Sequence, residues 1–266
     1  MLRVFKERRR RRLRAEPVPQ AWRPIISNNL PFFDRLPEAD QRELLGHVQV
    51  FLAEKRFEGC GGLKLTDEIC LTIATQACLL LLHRKTDYYP RLLTILVYPS
   101  GYVVHENRHV EGEIWEEGRE GRLGETARSM GSMVLAWDAA RYGALDPSDG
   151  KNLILHEFAH QLDFEDLVAD GVPALTSRDD KRSWSQVMKM EFAALRAADE
   201  TGIPTLLDGY GATNAAEFFA VATEAFFERP RALKRLHPSL FAEMQRFFRQ
   251  DPALYSSEPT ATAPAN

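Results

Sequence analysis

The chain of 266 residues holds only three cysteines, Cys60, Cys70 and Cys78. Their number is odd, none sits in a C-x-x-C pair, and no His stands at ligand spacing beside them. A disulfide framework is thereby excluded and a cysteine-bound metal is not expected; buried free thiols in a reducing cytoplasm are. Long apolar runs are also missing. The most apolar stretch, Ile69 to Leu82, contains Thr72, Thr75 and Gln76 and falls short of the roughly 20 residues that span a bilayer, so it reads as a buried core helix. Excess positive charge is missing too. A net charge of −4 argues against specific nucleic-acid binding, which needs a basic excess on the binding face. No internal repeat is present. With 44% hydrophobic and 27% charged residues, the composition is that of an ordinary globular protein.

One segment departs from that average. Lys6, Arg8 to Arg12 and Arg14 form a dense basic block, followed by Ala15-Glu16-Pro17-Val18-Pro19 rather than by the apolar stretch of a signal peptide. Residues 1–20 are expected to be a solvated, disordered tail, with a weak membrane-surface or RNA contact as the sharper reading. A second disordered tail is expected over 256–266. Between them, 21–255 reads as one domain, with a helical part over about 21–90 and a sheet with further helices over about 91–255.

Pro37-Glu38-Ala39-Asp40 opens a helix expected to run to about Glu58. Thr66 is a plausible N-cap for the next. Leu92 to Tyr98 and Tyr102 to Val104 read as strand–turn–strand, residues 105–129 as a loop or loose hairpin, and Met133 to Trp137 as a short strand. Helices are expected over about 151–164, 180–200, 213–228 and 238–250. The fold class is therefore α+β, mostly helical, with a small sheet.

The first of these four helices carries chemistry. His156-Glu157-Phe158-Ala159-His160 is an H-E-x-x-H sequence. On a helix, residues four apart share a face, so two imidazoles can grip one zinc ion while the Glu faces a water on it. Zinc brings that water's pKa towards neutrality, and Glu157 can take its proton during attack on a carbonyl. The flanks Leu153-Ile154-Leu155 and Leu162 make the helix apolar, and polar side chains in such a helix need partners.

A third protein ligand is required. One placement follows H-E-x-x-H-x-x-G-x-x-H, whose last two marked positions are Asp163 and Asp166 here. The other is the apolar segment Ala215 to Phe227 of the later helix, whose only acids are Glu217 and Glu224. A buried Glu there implies a metal or an Arg, although Glu217 also fits a first-turn acid behind an Asn214 or Thr213 cap. Tyr210, in Asp208-Gly209-Tyr210, can stabilise an oxyanion if held near the metal. Asp163 is expected either behind a ligand His or facing solvent.

The run Asn152 to Asp163, with Asp208-Gly209-Tyr210, Ala216-Glu217-Phe218-Phe219-Ala220-Val221 and Gln250-Asp251-Pro252, resembles the Mlc titration factor A family of bacterial glucose-regulated zinc metallopeptidases. The likeness extends over about residues 35–255, with Leu96-Val97-Tyr98-Pro99 and Val134-Leu135-Ala136-Trp137 as its N-terminal pieces. It implies a gluzincin-type core similar to the catalytic domain of anthrax lethal factor. Within that core it implies zinc held by His156, His160 and Glu217, Glu157 as general base and Tyr210 as the active-site tyrosine. It further implies a cytoplasmic protein with aminopeptidase-like activity on a peptide or protein substrate, and a transcriptional repressor of the Mlc type as a partner. In one respect the sequence departs from the family. A further His upstream of the Trp-containing strand, associated with the metal in the enterobacterial relative, has no counterpart in Glu116-Glu117-Gly118-Arg119, and His105 and His109 lie out of register. The expected architecture packs the motif helix on a sheet whose edge strand is Met133 to Trp137, open to an extended peptide. The rival reading is a regulatory binding protein that sequesters a repressor, with incidental peptidase activity.

Overall fold

Thr66, Asn152, Ser177 and Asn214 are short polar residues, each standing just ahead of a helical run, and each caps a helix. Their side-chain oxygens accept from the backbone N–H of Ile69, Leu155, Asp180 and Glu217. In the computed structural model, which describes residues 2–109, 115–122, 124–127, 131–146, 149–175 and 177–256, ten helices and six strands are present. The helices are α1 (Leu2–Ala15), α2 (Trp22–Asn29), α3 (Glu38–Glu54), α4 (Asp67–Leu79), α5 (Trp137–Leu145), α6 (Leu153–Asp163), α7 (Arg178–Glu200), α8 (Ala215–Glu228), α9 (Pro230–Leu236) and α10 (Pro238–Phe248). The strands are β1 (Arg56–Gly59), β2 (Thr94–Tyr98), β3 (Tyr102–His109), β4 (Trp115–Arg122), β5 (Gly124–Ala127) and β6 (Ser132–Ala136). The fold is α+β and mostly helical, as expected.

The sheet runs β1-β2-β6-β5, parallel except for β5. Several expectations need correction. Met133 to Trp137 is not the edge: β6 lies between β2 and β5, and β5 is the edge strand, beside α6. Trp137 leaves the strand and opens α5, a helix the sequence reading lacked. The helix expected to reach Glu58 stops at Glu54, because Arg56–Gly59 pairs in parallel with Thr94–Val97. Partners about 38 residues away decide that segment against its helical pattern. The polar stretch after Val104 is an antiparallel hairpin, β3 with β4, in a sheet of its own. Residues 110–114, the middle of the Asp146–Gly150 turn and the tail after Ser256 lie outside the described residues.

The basic block is likewise not a disordered tail: it lies in α1. In α1, Arg10 is 1% exposed. Its guanidinium donates to both Glu54 carboxylate oxygens at 2.9 and 2.8 Å and to Asp87 Oδ1 at 2.6 Å, while Arg14 donates to the Tyr88 hydroxyl. The acids that neutralise Arg10 lie 44 and 77 residues further along, out of reach of local pattern reading.

Ile69 to Leu82 is buried as expected apart from Cys70, its helix ending at Leu79, and the three thiols are free; of them only Cys78 is buried. One core face belongs to α6. Phe158 is fully buried, its ring 5.7 Å from Phe51 and 4.9 Å from Tyr89. The opposite stripe of α6 meets α8, and Gly143 of α5 lets the start of α6 pass close: a methyl there would sit 2.7 Å from the Lys151 carbonyl oxygen.

Replacing Arg10 with Ala strands Glu54 without its partner. Because Glu54 and Asp87 keep some water contact, the expected loss is near or below the low end for broken buried pairs, about 2–3 kcal/mol. Arg8→Ala, on the exposed side of the same helix, should stay within about 0.5 kcal/mol. Urea unfolding of both variants tests this; equal effects would contradict the packing of α1.

Candidate metal centre

His156 and His160 stand one turn apart on α6, with ring centroids 4.9 Å from each other. Glu217, in the first turn of α8, reaches across to both. His156 Nε2 lies 3.0 Å from Glu217 Oε2 and 3.2 Å from His160 Nε2, and His160 Nε2 lies 3.3 Å from Glu217 Oε2. Three ligand atoms thus converge on one point. Donors bound about 2.0–2.1 Å from a tetrahedral zinc lie about 3.3–3.4 Å apart, so the three separations match one face of such a site. Two ring nitrogens aimed at each other are poor hydrogen-bond partners but good co-ligands. Among the described residues these three form the one group able to hold a metal ion.

The alternative ligands point elsewhere. Asp166 Oδ1 accepts from Val168 N in its own turn. Asp163 is fully buried, which rules out the solvent-facing reading, and its Oδ2 accepts from Gly171 N at 3.1 Å. Burial pushes the Asp163 carboxyl up to about 6. Gly171 is pressed against α8, where a methyl would meet the Ala215 carbonyl oxygen at 2.3 Å; its φ of +75° also suits Gly.

The sequence reading did not assign Glu224 a target. Its Oε1 lies 2.8 Å from His156 Nδ1, and its Oε2 accepts from Asn152 N at 2.5 Å. Asn152 also donates through Nδ2 to Glu228 Oε1 at 2.9 Å and caps α6 through Oδ1. A spacing of seven residues puts Glu217 and Glu224 on one stripe of α8, so both acids face the motif helix, and that spacing is the signal that could have found it. Each ring nitrogen of His156 therefore meets a carboxylate. Burial opposes the imidazolium, but hydrogen bonds to Glu217 and Glu224 outweigh it and push metal-free His156 up to about 10. Burial raises Glu217, yet the two imidazoles bring it well below the usual carboxylate range. Burial keeps Glu224 and, more strongly, Glu228 above theirs.

Glu157 is 5% exposed on α6. Tyr210, in a 3-10 turn over Gly209–Ala212, has its ring 6.0 Å from that of His156 and is 57% exposed. Asp208 holds the turn by accepting from Tyr210 N and pairing with Lys151 at 2.8 Å. The backbones of His105 and His109 lie on β3.

The donor set fits zinc: two imidazoles and a carboxylate, with the outer nitrogen of His156 already oriented by a carboxylate. The chain matches the family described as glucose-regulated metallo-peptidase M90 over residues 4–249. It is 39% identical to an uncharacterized protein of Synechocystis sp., over 92% of this chain and 90% of that relative. It is 31% identical to Mlc titration factor A of Edwardsiella ictaluri, covering 86% and 88% of the two chains, and 30% identical to Mlc titration factor A of Yersinia pestis, covering 90% and 87%.

His156 lies above its ordinary pKa of 6.5, so its ion pairs stabilise the metal-free protein fully below that value and fade as pH rises through about 10. A metal ligand must lose that proton. Zinc binding at pH 7.5 should therefore release about one proton per ion, measurable by calorimetry in buffers of different ionisation enthalpy. Glu224→Gln should lower both the release and, by about 10–100-fold, the zinc affinity. Release near zero in the parent protein would contradict the double carboxylate clamp.

Proposed function

This chain belongs to the glucose-regulated metallo-peptidase family M90, and from that premise we propose that it is a zinc-dependent peptidase of the cytoplasm, aminopeptidase-like, with His156, His160 and Glu217 as metal ligands. The observation that carries the reading is the convergence of those three ligand atoms within 4.8 Å of one another, on two helices packed face to face. Zinc held there supplies Lewis-acid polarisation of a carbonyl and a water that ionises near neutral pH. Glu157, next to the first ligand on the same helix, accepts the proton of the attacking water and delivers it to the leaving amine. Tyr210 is close to His156 yet exposed, so its hydroxyl can turn towards substrate and donate to the developing oxyanion. An extended peptide would pair by its main chain with the free side of β5, the edge strand next to α6. No helix among the described residues is long and apolar enough to cross a membrane, which is compatible with a cytoplasmic site of action.

A second reading rests on the printed name of two relatives, Mlc titration factor A. In it the chain sequesters a transcriptional repressor of the Mlc type, and hydrolysis is incidental.

Glu157→Gln separates the two. Hydrolysis of a peptide library should fall about 10²–10⁴-fold at unchanged zinc content, and Tyr210→Phe should cost about 10²–10³-fold. Wild-type cleavage by Glu157→Gln would overturn the mechanism. Retention of repressor binding by a variant that no longer cleaves would show that binding is separable from the chemistry.

A further inference from the structure

We infer that α1 is a docking helix for an anionic lipid surface. Eight of the chain's 34 Lys and Arg lie in this one helix with a single acid, Glu7, so the other residues together are net acidic. The helix is pinned through one side: Arg10 is buried on Glu54 and Asp87, Arg14 bonds Tyr88, and Lys6 pairs with Asp87 at 2.8 Å. Taking Arg10 as the inward direction and 100° per residue, Val4, Phe5, Arg8 and Arg12 point away from the body and Arg11 lies on its flank. All five are exposed, Val4 and Phe5 at 57% and 59%. Arg12 pairs loosely with Glu16 at 3.7 Å; Arg8 and Arg11 make no ion pair among the described residues. The fixed inward face means that the outward cations are presented by a rigid rod on the globular body.

The composition of that face selects the partner. Arginines on one side of a helix attract any polyanion. Two exposed apolar side chains at the same end, one of them aromatic, add nothing to a phosphate backbone but enter the headgroup layer of a bilayer. Each cation near an anionic leaflet contributes a binding gain of about fivefold. An acidic remainder is repelled by the same surface, so docking is confined to this helix and holds the body in one orientation. The inference is independent of the peptidase reading.

The test is co-sedimentation of the full chain with vesicles of phosphatidylcholine alone or with phosphatidylglycerol. Binding should appear with phosphatidylglycerol, weaken as salt rises, and drop about 100-fold or more in the triple variant Arg8→Glu, Arg11→Glu, Arg12→Glu. Circular dichroism and the thermal unfolding midpoint should be unchanged in that variant, which reports that it folds. Phe5→Ser should weaken vesicle binding while leaving its salt dependence intact. Equal binding to both vesicle types, or binding indifferent to the triple reversal, overturns the inference. So does a Phe5→Ser variant that binds vesicles normally, or single-stranded RNA that outcompetes phosphatidylglycerol for the parent protein.

Discussion

Carboxylates meet both nitrogens of the His156 imidazole, Glu217 on one side and Glu224 on the other, across the contact between α6 and α8. Three glutamates of one helix, with Glu228, are gathered beside two histidines in a region with little water. Such a collection of like charge is costly unless cations enter it. In the metal-free protein, the cheapest cation is a proton on His156, which explains its raised pKa. A divalent ion placed between His156, His160 and Glu217 neutralises more of the cluster and leaves Glu224 to orient the ring from behind. The packing around α6 can be understood as holding that arrangement. Asn152 caps the helix and ties Glu224 and Glu228 together, Gly143 makes room for that cap, and Phe158 anchors the far side in the core.

Rigidity on one side of the site contrasts with exposure on the other. The faces of α6 and α8 that carry His156, His160 and Glu217 are largely enclosed, whereas Tyr210 stands exposed in a short turn that Asp208, paired with Lys151, helps to hold. A group that meets substrate benefits from that exposure, while side chains that would set a metal's geometry benefit from enclosure.

The candidate metal centre is more legible in the sequence than the architecture around it. The H-E-x-x-H helix, the later helix with Glu217 and the Asn214 cap follow from local periodicity and short polar residues at helix starts. The family resemblance points to Tyr210 and Glu217, and the structure brings both near the motif histidines. What escaped depends on distant partners. The basic block reads as solvated until Glu54 and Asp87 meet Arg10. Arg56–Glu58 reads as helix until β2 pairs with it, and Met133–Trp137 reads as an edge until β5 covers it. Glu224 reads as one buried acid among others until α6 crosses α8.

Anomalous diffraction from zinc-loaded crystals at the zinc edge tests the metal centre most directly. The expected result is one strong peak per chain bonded to His156 Nε2, His160 Nε2 and a Glu217 carboxylate oxygen, at about 2.0–2.2 Å each. A peak bound instead by Asp163 or Asp166, or no peak between α6 and α8, would contradict the account.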